Sequence, residues 1–112
     1  DGAFQMTGME VSTIGKLKLN PIIFVLNNAG YTTERFILDG SFNDIPSWEY
    51  HKIPEVIGFG KGLLVKTEED LEVGVAQALK DNCMYIFNII LDQKDRSVVL
   101  EKMAKKLSEK LL

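Results

Sequence analysis

Cysteine and histidine are almost absent from this chain: Cys83 and His51 are the only ones among 112 residues. A lone cysteine cannot close an internal disulfide framework and fits a reducing compartment. With one histidine beside it, no Cys/His metal cluster can be assembled. No apolar run approaches the length of a membrane span, and no signal peptide is visible. Together these features point to a cytoplasmic protein with no membrane partner. Positive charge is sparse: beyond Lys102, Lys105 and Lys106 no basic cluster exists, and the net charge is −3. Nucleic acid is therefore disfavoured as the main partner. Internal repeats and low-complexity tracts are also missing. What remains is 46% hydrophobic and 26% charged residues, an ordinary soluble composition with room for one domain and one modest core.

The chain is organised around Pro21-Ile-Ile-Phe-Val-Leu26, a short apolar run rich in β-branched residues. Its length and lack of helical period predict a strand buried on both faces. Asn27-Asn28-Ala29-Gly30 follows at the carboxyl end of that strand, where open α/β sheets hold their ligands. Upstream, Asp1-Gly2 leads into a helical pattern carried by Met6, Met9, Glu10, Thr13, Ile14 and Leu17, with Gly15 a weak point and Lys16 to Pro21 a stop. A strand is expected before Asp1, completing a right-handed βαβ crossover that brings Asp1 and Asn28 to one sheet edge. The 112 residues are thus expected to be the carboxyl-terminal part of a longer protein, roughly two thirds or more of one domain.

Downstream, Tyr31 to Leu38 predicts a short helix, Asp39-Gly40 a turn, Asn43 to Trp48 a helix start, and Ile53 to Gly60 a short helix closed by glycine. Leu63 to Lys66 and Met84 to Leu91 read as strands. Thr67 reads as the N-cap of a helix buried through Leu71, Val75, Ala78 and Leu79. Asp95 or Ser97 caps a last helix with one face formed by Leu100, Met103, Ala104, Leu107 and Leu111 and an i,i+4 pair of Glu101 with Lys105. The element order gives an α/β three-layer fold with a mostly parallel sheet.

If Asp1, Asn28 and the Gly30 carbonyl converge, a carboxylate, an amide oxygen and a peptide oxygen form a hard half-shell suited to Mg²⁺ or Ca²⁺. Diphosphate oxygens would complete it, facing the N–H groups of Gly2 and Ala3 at the helix start. The alternative is that both segments are plain turn chemistry, in a non-catalytic α/β interaction module.

Asp1-Gly2-Ala3-Phe4-Gln5-Met6-Thr7, followed by Leu26-Asn27-Asn28-Ala29-Gly30-Tyr31-Thr32-Thr33-Glu34-Arg35, resembles the paired GDG and NN motif of thiamine-diphosphate enzymes, lacking its first glycine. Asn-Asn-x-Gly-Tyr-Thr-x-Glu, with Phe42-Asn43-Asp44-Ile45-Pro46-Ser47-Trp48, is similar to the pyruvate/indolepyruvate decarboxylase group of 2-oxo acid decarboxylases. The resemblance runs through nearly the whole chain. It implies the thiamine-diphosphate-binding fold, here the carboxyl-terminal part of the diphosphate-binding domain (residues 1–112). Amino-terminal pyrimidine-binding and middle domains would lie elsewhere. It also implies thiamine diphosphate and Mg²⁺ as cofactors, a 2-oxo acid substrate, an aldehyde product, and a second subunit in a homodimer or homotetramer.

Carried over residue by residue, the resemblance implies Asp1, Asn28 and Gly30 as metal ligands. Gly2, Ala3, Asn28, Gly30, Tyr31, Thr32 and Thr33, with Asp1, become cofactor-binding positions. Glu34 matches the group's active-site glutamate, whose carboxyl, between burial and a substrate anion, is expected to have a raised pKa. Thr33, Met103 and Leu107 match the substrate pocket. Ala29 departs from the aspartate common there, and the segment from Phe36 to Phe42 is shorter than in the group. The cofactor-activating glutamate and the catalytic histidines belong to the amino-terminal domain, and His51, expected in a surface loop, does not replace them. Phe4 to Glu10 also agrees with a carboligating relative such as acetolactate synthase, against which Tyr31 to Glu34 argues.

Overall fold

The computed structural model describes residues 1–111. Three strands, β1 (Ile22–Asn27), β2 (Lys61–Val65) and β3 (Tyr85–Ile90), form one parallel sheet in the order β1-β3-β2. The central strand β3 pairs Ile22 to Asn27 on one side and Lys61 to Val65 on the other. Side chains alternate across a strand, so β3 feeds two cores. Met84 and Ile86 meet Val11, Val25 and Tyr50 on one face, while Tyr85 and Phe87 meet Val65 and Ala78 on the other. The first face is covered by α1 (Gly2–Thr7), α2 (Val11–Lys16) and α4 (Ile53–Ile57), the second by α5 (Glu68–Asp81). The α/β three-layer expectation is borne out.

Local chemistry explains the element ends. In α5, Thr67 accepts from the Asp70 amide while the Asp70 carboxylate accepts from the Thr67 amide, a reciprocal capping box. Gly58, at φ +70°, closes α4 in the left-handed conformation. Of the two candidate caps for α6 (Val98–Leu111), Ser97 acts: its hydroxyl accepts from the Leu100 amide at 3.1 Å.

Several expectations are corrected. The run over β1 is not buried on both faces: Phe24 and Leu26 are about half exposed, because α5 covers that sheet face only over β2 and β3. In the first helical region Met6, Met9 and Leu17 are exposed, and the buried face runs through Phe4, Val11 and Ile14. The helix breaks at a 3₁₀ turn, Gly8–Glu10, and not at Gly15, which instead lets α2 lie close to Phe59. Asn43 to Trp48 starts no helix; a 3₁₀ turn, Ser41–Asn43, precedes it. Leu79 is exposed on α5. Glu101 pairs with Arg96 at 3.1 Å, not with Lys105. His51 lies half-buried in a 3₁₀ turn, Tyr50–Lys52, packed so closely over β2 that no side chain fits at Gly62. Its Nδ1 is 3.2 Å from the Asn88 amide, whose oxygen accepts from Asn27 at 3.0 Å.

Candidate functional site

The start of α1 and the loop after β1 meet at the carboxyl edge of the sheet. The Asp1 nitrogen donates to the Leu26 carbonyl at 2.7 Å, tying the first residue to the end of β1. Asp1 Oδ1 then accepts from the Gly2 amide at 3.0 Å and from the Gly30 amide at 3.3 Å. Its other oxygen is buried without a hydrogen-bond partner, and such an orphan asks for a proton donor or a cation.

Asn28 completes the cluster. One end of its amide lies 3.0 Å from Asp1 Oδ1 and 3.1 Å from the Gly30 carbonyl oxygen; the other end lies 2.8 Å from Thr32 Oγ1. An amide presents a donor at one end and an acceptor at the other. With its NH₂ inward, Asn28 donates to both oxygens; with its oxygen inward, that oxygen lies 3.0 Å from Asp1 Oδ1 and 3.1 Å from the Gly30 carbonyl oxygen. Adjacent ligands of an octahedral Mg²⁺ with bonds of about 2.0–2.1 Å are separated by roughly that distance. One carboxylate, one amide and one peptide oxygen form a donor set for a hard cation whose remaining ligands bring negative charge. No group of three or more His, Cys, Asp or Glu side chains gathers here or elsewhere among the described residues, so the donor set rests on a single carboxylate.

Backbone conformation builds this cluster. Ala29 adopts φ +58° and Gly30 φ +144°, so two successive residues leave the ordinary regions and turn the chain sharply. At Ala29 this conformation costs about 1–2 kcal/mol, because its Cβ crowds the carbonyl oxygen. A side chain at Gly30 would lie 2.1 Å from the Asn43 carbonyl oxygen. Gly30 forms a bridge to Asp44, and the Tyr31 amide donates to the Asn43 carbonyl at 2.9 Å. Gly2 is also a packing requirement, since the Tyr31 ring occupies the space where its Cβ would be.

Sequence reasoning did not find the staple of this loop. Arg35, from α3 (Thr32–Arg35), has a side chain only 7% exposed. Its Nη2 donates to the Ala29 carbonyl at 3.3 Å, the Asn43 carbonyl at 3.2 Å and the Asp44 carboxylate at 2.7 Å, and Nη1 is 3.5 Å from Asp39. Gln93 adds a second clasp, its amide donating to the Ala29 carbonyl at 3.4 Å. Two of these four acceptors, the Ala29 and Asn43 carbonyls, are backbone oxygens, which carry no sequence signal.

An open groove of about 340 Å³ runs along the cluster, within the range of small-ligand sites. Asp1, Gly2, Ala3, Asn28 and Gly30 line it, and Tyr31, Thr32, Thr33 and Glu34 continue its wall. Thr33 and Glu34 are exposed, so the burial expected around the Glu34 carboxyl is not supplied by the described residues. Met103 and Leu107 do not line the groove; on α6 they are 52% and 39% exposed.

Residues 1–89 match the family of the thiamine pyrophosphate enzyme C-terminal TPP-binding domain. This chain belongs to that family. Thiamine diphosphate is the cofactor of this domain, as the resemblance implied. The likeness to decarboxylases is borne out too. A pyruvate decarboxylase of Aspergillus fumigatus is 49% identical over 63% of this chain and 13% of its own length. Pyruvate decarboxylase 2 of Oryza sativa subsp. indica is 37% identical over 96% of this chain and 19% of its own. A probable pyruvate decarboxylase of Schizosaccharomyces pombe is 42% identical over 72% of this chain and 15% of its own. This TPP-binding domain thus spans less than a fifth of the length of the curated relatives it matches. None of its described helices is long and apolar enough to cross a membrane.

Proposed function

We propose that the chain is the cofactor-anchoring part of a thiamine-diphosphate- and Mg²⁺-dependent non-oxidative 2-oxo acid decarboxylase, which turns a 2-oxo acid into an aldehyde and CO₂. One observation carries this reading: an end of the Asn28 amide stands 3.0 Å from Asp1 Oδ1 and 3.1 Å from the Gly30 carbonyl, at the lip of a groove that begins with Gly2 and Ala3. Asp1, Asn28 and Gly30 hold the cation through oxygen. At the positive end of α1 the Gly2 N–H is taken by Asp1 Oδ1, contrary to the expectation that it faces the diphosphate. The Ala3 N–H would be the one to meet the diphosphate, with Gly2 giving it close approach. Tyr31, Thr32 and Thr33 form the cofactor wall.

When bound, thiamine diphosphate supplies the electron sink that lets CO₂ depart. Glu34 is the chain's own proton carrier, a carboxylate on the groove wall that holds and delivers a proton beside the reacting carbon. Thr33 lines the substrate side, and Met103 and Leu107 on α6 cover the substrate in the assembled enzyme, which accounts for apolar side chains left exposed here. The relatives' names favour pyruvate as substrate. Indolepyruvate and branched-chain or other aromatic 2-oxo acids share the same reacting group. Amino-terminal domains and a second subunit, in a cytoplasmic homodimer or homotetramer, complete the site.

Calorimetry of the complete protein with Mg²⁺ and thiamine diphosphate, joined to an aldehyde assay on pyruvate, tests this. Asp1→Ala and Asn28→Ala are expected to abolish cofactor affinity. Glu34→Gln is expected to keep affinity and slow aldehyde formation by about 100-fold or more. Unaltered affinity in both alanine variants would refute the reading, and an acetohydroxy acid product would replace decarboxylation with carboligation.

A further inference from the structure

Thr32 lies behind the cluster, 6% exposed, with its hydroxyl donating to the Gln93 carbonyl at 3.2 Å and standing 2.8 Å from the outer end of the Asn28 amide. A hydroxyl has one hydrogen. While that hydrogen points to Gln93, Thr32 Oγ1 can only accept from Asn28, so the NH₂ end of the amide faces Thr32. The amide oxygen then faces Asp1 Oδ1 and the Gly30 carbonyl, which is the cation-holding arrangement. If the hydroxyl rotates and donates to Asn28 instead, the amide turns over and its NH₂ end satisfies those two oxygens without any cation.

Resting on the proposed function, we infer that Thr32 is a positioning residue: by giving its proton to the Gln93 carbonyl it selects the metal-binding orientation of Asn28. The acceptor that fixes this choice lies in the segment between β3 and α6, 61 residues along the chain. The Gln93 side chain clasps the Ala29 carbonyl as well. The same segment thus holds both the loop and the amide, and cation affinity is tied to its docking. Without the hydroxyl, an outward NH₂ group would be buried unpaired, and the amide would favour the inward hydrogen bonds that exclude the metal.

The test is Mn²⁺ affinity, read by electron paramagnetic resonance on the complete protein with thiamine diphosphate. Thr32→Val is expected to lose about 10- to 100-fold in Mn²⁺ affinity, the usual effect of removing a group that orients a ligand. Thr32→Ser, which keeps the hydroxyl, is expected to restore most of it. In an Asn28→Asp background both ends of residue 28 are oxygens, so Thr32→Val should lose most of its effect. Thr32→Ala serves the same comparison if the valine variant does not fold. Unchanged Mn²⁺ affinity in a folded hydroxyl-free variant, even with a lowered melting temperature, would overturn the inference. So would an equal loss in the Asn28→Asp background. No Mn²⁺ binding by the unaltered protein would overturn the proposed function, and this inference with it.

Discussion

Replacing Gly30 with alanine should open the loop that presents the cation ligands. At φ +144° the backbone lies where a Cβ is strained, at about 1–3 kcal/mol. The new methyl would also lie 2.1 Å from the Asn43 carbonyl oxygen and 2.6 Å from Arg35 Nη2. That oxygen cannot withdraw freely, since it accepts from the Tyr31 amide at 2.9 Å and from Arg35 at 3.2 Å. Overpacking of this kind costs a further 1–3 kcal/mol or so, giving about 2–6 kcal/mol in all. Hydrogen exchange of the Tyr31 amide reads the local opening directly. Its protection should fall at least about thirtyfold if the cost reaches the lower bound. Gly58→Ala is the control: the left-handed backbone is retained but nothing lies within 4 Å of the new Cβ, so only about 1–2 kcal/mol is at stake, at α4. Tyr31 protection unchanged in Gly30→Ala would refute the claim that the close approach of Gly30 to Asn43 holds the loop.

Arg35→Met keeps the apolar stem but removes the guanidinium from the Ala29 and Asn43 carbonyls. A loss of about 2–3 kcal/mol is expected by the same exchange measurement, discounted because its partner Asp44 is 58% exposed. Ala29→Gly relieves a left-handed alanine at φ +58°, so a gain of about 0.5–1 kcal/mol is expected after glycine's entropy cost, with Mn²⁺ affinity retained. At the opposite end of the sheet, hydrogen bonds from Lys61, Tyr85 and Gln77 hold the Asp81 carboxyl down at about 2. Its folded pKa lies below its unfolded one. The stabilisation is therefore complete above about pH 4 and lost as pH falls towards 2. Asp81→Asn should flatten the acid dependence of unfolding in that window.

The parts legible in the sequence were those with local signals. The β-branched runs gave β1 and β3, Thr67 with Asp70 gave the start of α5, and Gly58 gave the end of α4. The pairing of Asp1 with Asn28 followed from reading Asp1-Gly2 and Asn27 to Gly30 as turns that each lead into a helix. The phase of the first helices was misread because glycines mark their buried face. Gly8 and Gly15 lie in register with Phe4 and Val11, so counting large apolar residues pointed to Met6 and Met9 on the solvent side. The half-open face of β1 was missed because composition shows that a strand can be covered, not what covers it. The Arg35 staple and the Thr32 link to Gln93 use backbone carbonyls as acceptors, and these exist at every residue. Only the folded chain selects which ones are used.

The central claim is that Asp1, Asn28 and the Gly30 carbonyl hold one divalent ion. Crystals of the complete protein grown with thiamine diphosphate and Mn²⁺ test it through anomalous scattering. A single manganese peak within bonding distance of Asp1 Oδ1, the Asn28 amide oxygen and the Gly30 carbonyl oxygen is predicted. A peak elsewhere, or an Asn28 amide whose NH₂ end faces Asp1 with cofactor bound, would contradict it.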